Sequence, residues 1–185
     1  MSFLYTVANI LRFLEDVGSK STELFIFILN AGLSYSGNDI LSGPSWIQEI
    51  YEWGPSSRFI HWCELIEQTT IDCGIFAALA REIFIARGLV SFPVQMIQKF
   101  SEQNISHWRR MWESARQATD WIMDDLVYHE AVAIVIYDNY IKIWDSVDNV
   151  WIDPNQTQGY ASTLAIRIIS IDNSMERFVL WDNHK

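Results

Sequence analysis

Three residues of this chain have the types and the order for thiol chemistry: Cys73, His129 and Asp145. Cys73 lies in Thr69-Thr70-Ile71-Asp72-Cys73-Gly74-Ile75-Phe76-Ala77-Ala78-Leu79-Ala80, which reads as a short turn and then the first turn of a buried helix. Free backbone N–H groups and the helix dipole favour an anion at that position. Only the thiolate is a strong nucleophile, so the placement suggests catalysis. The plainer reading is a small apolar side chain on a core helix. His129 falls at the start of one strand and Asp145 at the end of the next. A hairpin brings those two points together, and the Cys73 helix packed on that end of the sheet would bring the thiol to the imidazole. The imidazole then balances the thiol proton, the carboxylate fixes its tautomer, and the thiolate attacks an acyl carbon. First-turn N–H groups, that of Cys73 included, suit an oxyanion.

Positioning these groups falls to a short series of elements. The Cys73 helix sets Ile75, Phe76, Leu79, Ala80, Ile83 and Phe84 at core spacing, and Arg87-Gly88 closes it. Upstream, Phe3, Leu4, Val7, Ile10, Leu11 and Leu14 predict an amphipathic helix ending at Gly18. Ser21 or Thr22 then caps a second helix through Leu29, with a buried strand as the alternative. Ser34 to Gly43 reads as a loop, and Pro44 opens a short helix carrying Trp46, Ile47, Ile50 and Trp53 on one face. Arg58 to Gln68 has room for a further turn or two of helix.

Downstream, Phe92 to Ile97 reads as a strand and Ser106 begins a tryptophan-rich helix reaching Ile122. Ala131 to Tyr137 is β-branched and apolar, a central strand. Asp138-Asn139 turns it into a second strand, Tyr140 to Trp144. Val150 to Ile152 follows, stopped by Asp153-Pro154, and Thr163 to Ser170 and Phe178 to Trp181 are two more strands. Helices first and strands afterwards predict an α+β plan, a helical N-terminal half packed on an antiparallel sheet, in one domain over residues 1–185.

Composition narrows the function. The 185 residues are 50% hydrophobic and 19% charged, which is globular. A net charge of −10 argues against nucleic acid and mildly favours a cationic partner. Nine tryptophans imply large buried aromatic surfaces or a ring-lined pocket. The cysteines Cys63 and Cys73 form no CxxC pair, and no metal set, phosphate loop or dinucleotide fingerprint stands out, so neither metal nor cofactor is expected. Cys63 reads as a structural thiol, and His61, His107 and His184 as ordinary surface or core residues. The start of the chain has no basic leader, and Leu24 to Leu29 is too short an apolar run for a bilayer. A cytoplasmic protein with reduced thiols, off the membrane, is the expectation.

Cys, His and Asp in that order, on a helix and two adjacent strands, resemble the transglutaminase-like branch of the papain-like cysteine superfamily. His129-Glu130-Ala131-Val132 and Tyr140-Ile141-Lys142-Ile143-Trp144-Asp145-Ser146 are similar to its histidine and aspartate segment, and Asp72-Cys73-Gly74-Ile75-Phe76-Ala77 to its nucleophile helix. The likeness covers about residues 68–155. It departs where Ala131 and Val132 stand in place of a tryptophan and where Ser146, not proline, follows Asp145. The resemblance implies a papain-like core and a catalytic triad of Cys73, His129 and Asp145. Gln68 is a candidate oxyanion donor, as a glutamine is in papain-like enzymes, or else an exposed turn residue. Asp153, in Trp151-Ile152-Asp153-Pro154, is a rival third member. So is Asp148, since counting across a tight Asp138-Asn139 turn sets His129 opposite position 148; a bulge would shift the register towards Asp145.

The expected activity is thiol-dependent acyl transfer through a Cys73 thioester. An amide-forming acyltransferase is favoured, with an amine acceptor and an acyl donor that, by analogy with relatives, includes carrier-protein thioesters. A cysteine peptidase or protein deamidase acting on peptides is the second reading. A binding module of the same fold without activity is the third.

Overall fold

The computed structural model describes residues 41, 43–56, 65, 68–137, 140–154, 163–169 and 177–180. The helices expected before residue 40, most of the 58–68 segment, Cys63, His61, His184 and the Asp138-Asn139 turn lie outside the described residues. The elements are α1 (Ile47–Ile50), β1 (Glu52–Trp53), β2 (Thr70–Ile71), α2 (Cys73–Ala86), β3 (Val90–Lys99), α3 (Glu102–Ser114), β4 (Ile122–Met123), β5 (Leu126–Val135), β6 (Ile141–Asp145), β7 (Val150–Ile152), β8 (Thr163–Ile168) and β9 (Arg177–Leu180).

The main sheet runs β7-β6-β5-β3-β8-β9, with every neighbouring pair antiparallel and β4 on the flank of β5. β1 and β2 form a small parallel pair, Trp53 beside Ile71. The architecture is therefore α+β with a largely antiparallel sheet. Among the described residues, no helix is long and apolar enough to cross a membrane.

Local chemistry accounts for the helices. Asp72 is the N-cap of α2: its backbone is extended and its Oδ1 accepts the Ile75 N–H at 3.0 Å. The helix ends at Arg87, and Gly88 takes the left-handed conformation, φ +84°. Between those ends the apolar stripe Phe76, Leu79, Ala80, Ile83 and Phe84 buries against Val132 and Ile134 of β5 and Trp144 of β6. Each large side chain so buried contributes about 1.5–3 kcal/mol, enough to fix which side of α2 meets the sheet. The opposite side of the sheet carries a second cluster, Val94, Met96, Ala131, Ala133, Ile143, Ile166 and Ile168.

Several boundaries differ from the expectation. α3 starts at Glu102, not Ser106, because Ser101 caps it by accepting the Asn104 N–H at 3.3 Å. It also stops at Ser114: Arg116 has φ +57°, so the chain turns and Ile122 falls in β4 instead of the helix. β5 begins at Leu126, five residues before Ala131, because the whole of Leu126–Val135 pairs with Val90–Lys99 without interruption. Trp53 likewise leaves the α1 face and enters β1. There its ring packs on Trp108 and Trp112 of α3 at centroid distances of 5.6 and 5.1 Å, and Trp121 joins Trp112 at 4.8 Å. Much of the tryptophan content thus builds one aromatic cluster between α3 and the start of β5.

Candidate active site

β5 is laddered unevenly. On one flank it meets β3 along its full length. On the other, β4 covers only Leu126 and Val127, and β6 only Val132 to Val135. Positions 128–131 fall between those two ladders, and there the N terminus of α2 meets the strand. Gly74 marks the contact: a Cβ on it would lie 2.8 Å from Glu130 Oε2 and 3.3 Å from Asp72 Oδ1. A side chain at position 74 would push the helix start away from β5.

His129 and Asp145 come together at this gap. The β5–β6 register pairs Val132 with Trp144, which sets Asp145 level with Ala131 and leaves His129 one diagonal step along the same face. Diagonal neighbours lie within reach of long side chains. The His129 Nε2 to Asp145 Oδ2 distance is 2.9 Å. Asp145 is wholly buried and His129 is 8% exposed. Asp145 reaches His129 through this regular register, and no bulge interrupts the described β5–β6 pairs.

Asp145 Oδ1 accepts two backbone N–H groups, from Val147 at 3.0 Å and Asp148 at 3.3 Å. The rival aspartates are used otherwise. Asp148 supplies its N–H to Asp145; burial and then the Asp145 charge raise its own carboxyl, against a downward pull from His129. Asp153 accepts the Tyr140 hydroxyl at 2.7 Å.

The Cys73 thiol is near enough to the His129 ring to act on its pKa, after Asp145. Burial is the largest single influence on the ring and pulls its pKa down. The Asp145 charge and hydrogen bond, followed by the Cys73 hydrogen bond and charge, together outweigh it and set the pKa well above the usual histidine value. The Cys73 and Gly74 N–H groups open α2 and have no hydrogen-bond partner among the described residues.

A second polar line runs beside the first. Arg167 Nη1 meets Gln95 Oε1 at 3.5 Å, Gln95 Nε2 donates to the Tyr128 hydroxyl at 3.0 Å, and that hydroxyl donates to Glu130 Oε1 at 2.5 Å. Burial first, then the bond to and charge of Glu130, raise the Tyr128 hydroxyl above its ordinary range; Gln95 opposes this and Cys73 adds to it. Glu130 and Tyr128 carry no local signal as site residues, but they alternate with Val132 and Ile134 and so fall on the helix side of β5.

Gln68 is half-buried just before β2, its N–H bonded to Leu65 O at 3.1 Å. His107 is exposed on α3, away from the gap. Among the described residues, no group of three or more His, Cys, Asp or Glu side chains is placed to hold a metal ion. Searches against family models, curated proteins and solved structures return no match to this chain.

Proposed function

We propose that the chain is a cysteine-nucleophile enzyme that transfers acyl groups through a thioester on Cys73, within a papain-like, transglutaminase-like core. The observation that carries this reading is one buried imidazole bonded to the Asp145 carboxylate at 2.9 Å, on the stretch of β5 that the helix start bearing Cys73 meets. In the first half-reaction the Cys73 thiolate attacks the donor's carbonyl carbon. The new C–S bond forms, the donor's own thiol leaves, and His129 returns the proton to it. The Cys73 and Gly74 N–H groups face the developing oxyanion, with Gln68 as the proposed additional donor.

For the second half-reaction an amine acceptor is favoured over water. Asp72 and Glu130 bring two carboxylates to Gly74, next to the nucleophile, and the whole chain carries a net charge of −10. Both draw a cation. The bound ammonium first gives one proton to solvent; the neutral amine attacks the thioester carbon, its second proton passes to His129, and the C–S bond breaks to release the amide and restore the Cys73 thiolate.

The test is the rate of Cys73 alkylation by iodoacetamide against pH in a Cys63→Ala background, followed by incubation with a simple acyl thioester and intact-mass measurement. Fast alkylation below pH 7 that disappears in His129→Ala, together with one acyl adduct on Cys73, supports the reading. A slow, His129-independent profile and no adduct would overturn it in favour of a binding module.

A further inference from the structure

Asp145 is itself held in place, and the residue at the far end of the hold is Gln48, from α1 near the opposite end of the described chain. The turn after β6, residues 146–149, contains two peptide units that point their N–H groups at Asp145 Oδ1: the Ser146–Val147 peptide at 3.0 Å and the Val147–Asp148 peptide at 3.3 Å. The carbonyls of those same two peptides meet one side chain. Gln48 Nε2 donates to Ser146 O at 3.1 Å and also to Val147 O. Gln48 Oε1 accepts in turn from Asn149 Nδ2 at 2.5 Å, and Asn149 holds the turn with φ +53°.

Resting on the reading of Asp145 and His129 given above, we propose that Gln48 is a positioning residue of the site: its amide clamps the two peptide units that orient the Asp145 carboxylate towards His129. Each peptide is bonded at both ends, by Gln48 at the carbonyl and by Asp145 at the N–H. Bonds in series polarise one another, so fixing the carbonyls strengthens the two N–H donors. With Oδ1 pinned by these donors, Oδ2 has one place to go, the His129 Nε2. Gln48 is exposed and Val147 half-buried, so its loss opens the Val147 carbonyl to water and costs one bond at the buried Ser146. The fold then loses little, while the carboxylate loses its fixed direction. No part of this is visible in the sequence, where Gln48 and Asn149 are 101 positions apart.

The experiment uses the full chain in the Cys63→Ala background. Gln48→Met keeps the side-chain length and removes the amide. The Cys73 alkylation rate is read from about pH 5 to 10 alongside the melting temperature, with His129→Ala as reference. Weaker support from Asp145 lowers the His129 pKa, so the expected result is an upper limb of the pH profile shifted to lower pH and a rate near neutrality reduced about tenfold. Asn149→Gly tolerates the positive φ and removes only the bond to Oε1; it shifts the limb the same way by less. A Gln48→Met profile identical to the parent's, or one lowered equally at every pH with a matching fall in melting temperature, overturns the clamp and leaves the acyl-transfer reading standing. A parent protein whose alkylation does not depend on His129 removes that reading and the clamp with it.

Discussion

The two halves of β5 are one strand put to two uses. Its C-terminal half, Val132 to Val135, is laddered on both flanks, and Val132 and Ile134 pack under α2. Its N-terminal half holds Tyr128, His129 and Glu130 in a row, each bonded to a side chain, where the second ladder is missing. A gap in one ladder of a central strand gives polar groups room to be satisfied by side chains and by the start of a helix. The same strand's rigid half then holds them still. Substitutions in the two halves should therefore separate chemistry from stability.

The largest effect is expected in the polar half. His129→Ala should reduce Cys73 alkylation at pH 6.5 and thioester turnover by about 10²- to 10⁴-fold, the range of a lost general base, with the fold intact by circular dichroism. Retained activity would break the comparison at its centre. In the apolar half, Phe76 is fully buried among the α2–β5 contacts. Phe76→Ala should cost about 3–5 kcal/mol in urea unfolding while the folded fraction keeps its alkylation profile. A changed profile in that variant would mean the two halves are coupled.

Asp145→Asn joins the two measurements. Turnover should fall about 100-fold as the imidazolium loses its charged partner. Stability should respond to pH as well. His129 has a folded pKa above its unfolded one, so the folded state binds the proton more tightly. That contribution is complete below about pH 6.5 and is lost as pH rises through the higher folded value. The melting-temperature advantage of the parent over Asp145→Asn should therefore be greatest near pH 6 and shrink towards alkaline pH; a gap that widens with pH would contradict the assignment. The smallest effect belongs to Asp153→Asn. It keeps an acceptor for the Tyr140 hydroxyl, at the other end of the hairpin from His129, and should change stability by less than about 0.5 kcal/mol and turnover not at all.

The sequence made the local part of this design legible. Asp72 as a cap, Cys73 on the first turn and Arg87-Gly88 at the stop are all short-range signals, and α2 spans Cys73–Ala86 between them. Val150–Ile152 is the strand that its aromatic and β-branched residues predict. Polar residues inside strands hid more. Tyr128, His129 and Glu130 broke the apolar run, so β5 looked five residues shorter than its pairing with β3 makes it. Register was hidden as well: counting across the Asp138-Asn139 turn pointed to position 148, whereas the described pairs bring Asp145 diagonally to His129. Gln48 was beyond reach, since its three bonds depend on tertiary folding and on no local pattern.

The arrangement of β3 also dictates an order of events. Its partners on one side come from residues 126–135, but on the other side from residues 163–168, much later in the chain. Closing the longer loop costs more entropy and is slower. Pro93, which has no N–H to give, stands next to the first residue pair of the β8 ladder, while its carbonyl accepts the Ile169 N–H beyond the strand's end. The half of the molecule that carries Cys73, His129 and Asp145 can thus assemble while the β8–β9 hairpin is still arriving. Pulse-labelled hydrogen exchange should find the β5 amides protected before those of β8, and a nascent chain ending near residue 155 should already present the thiol beside its histidine.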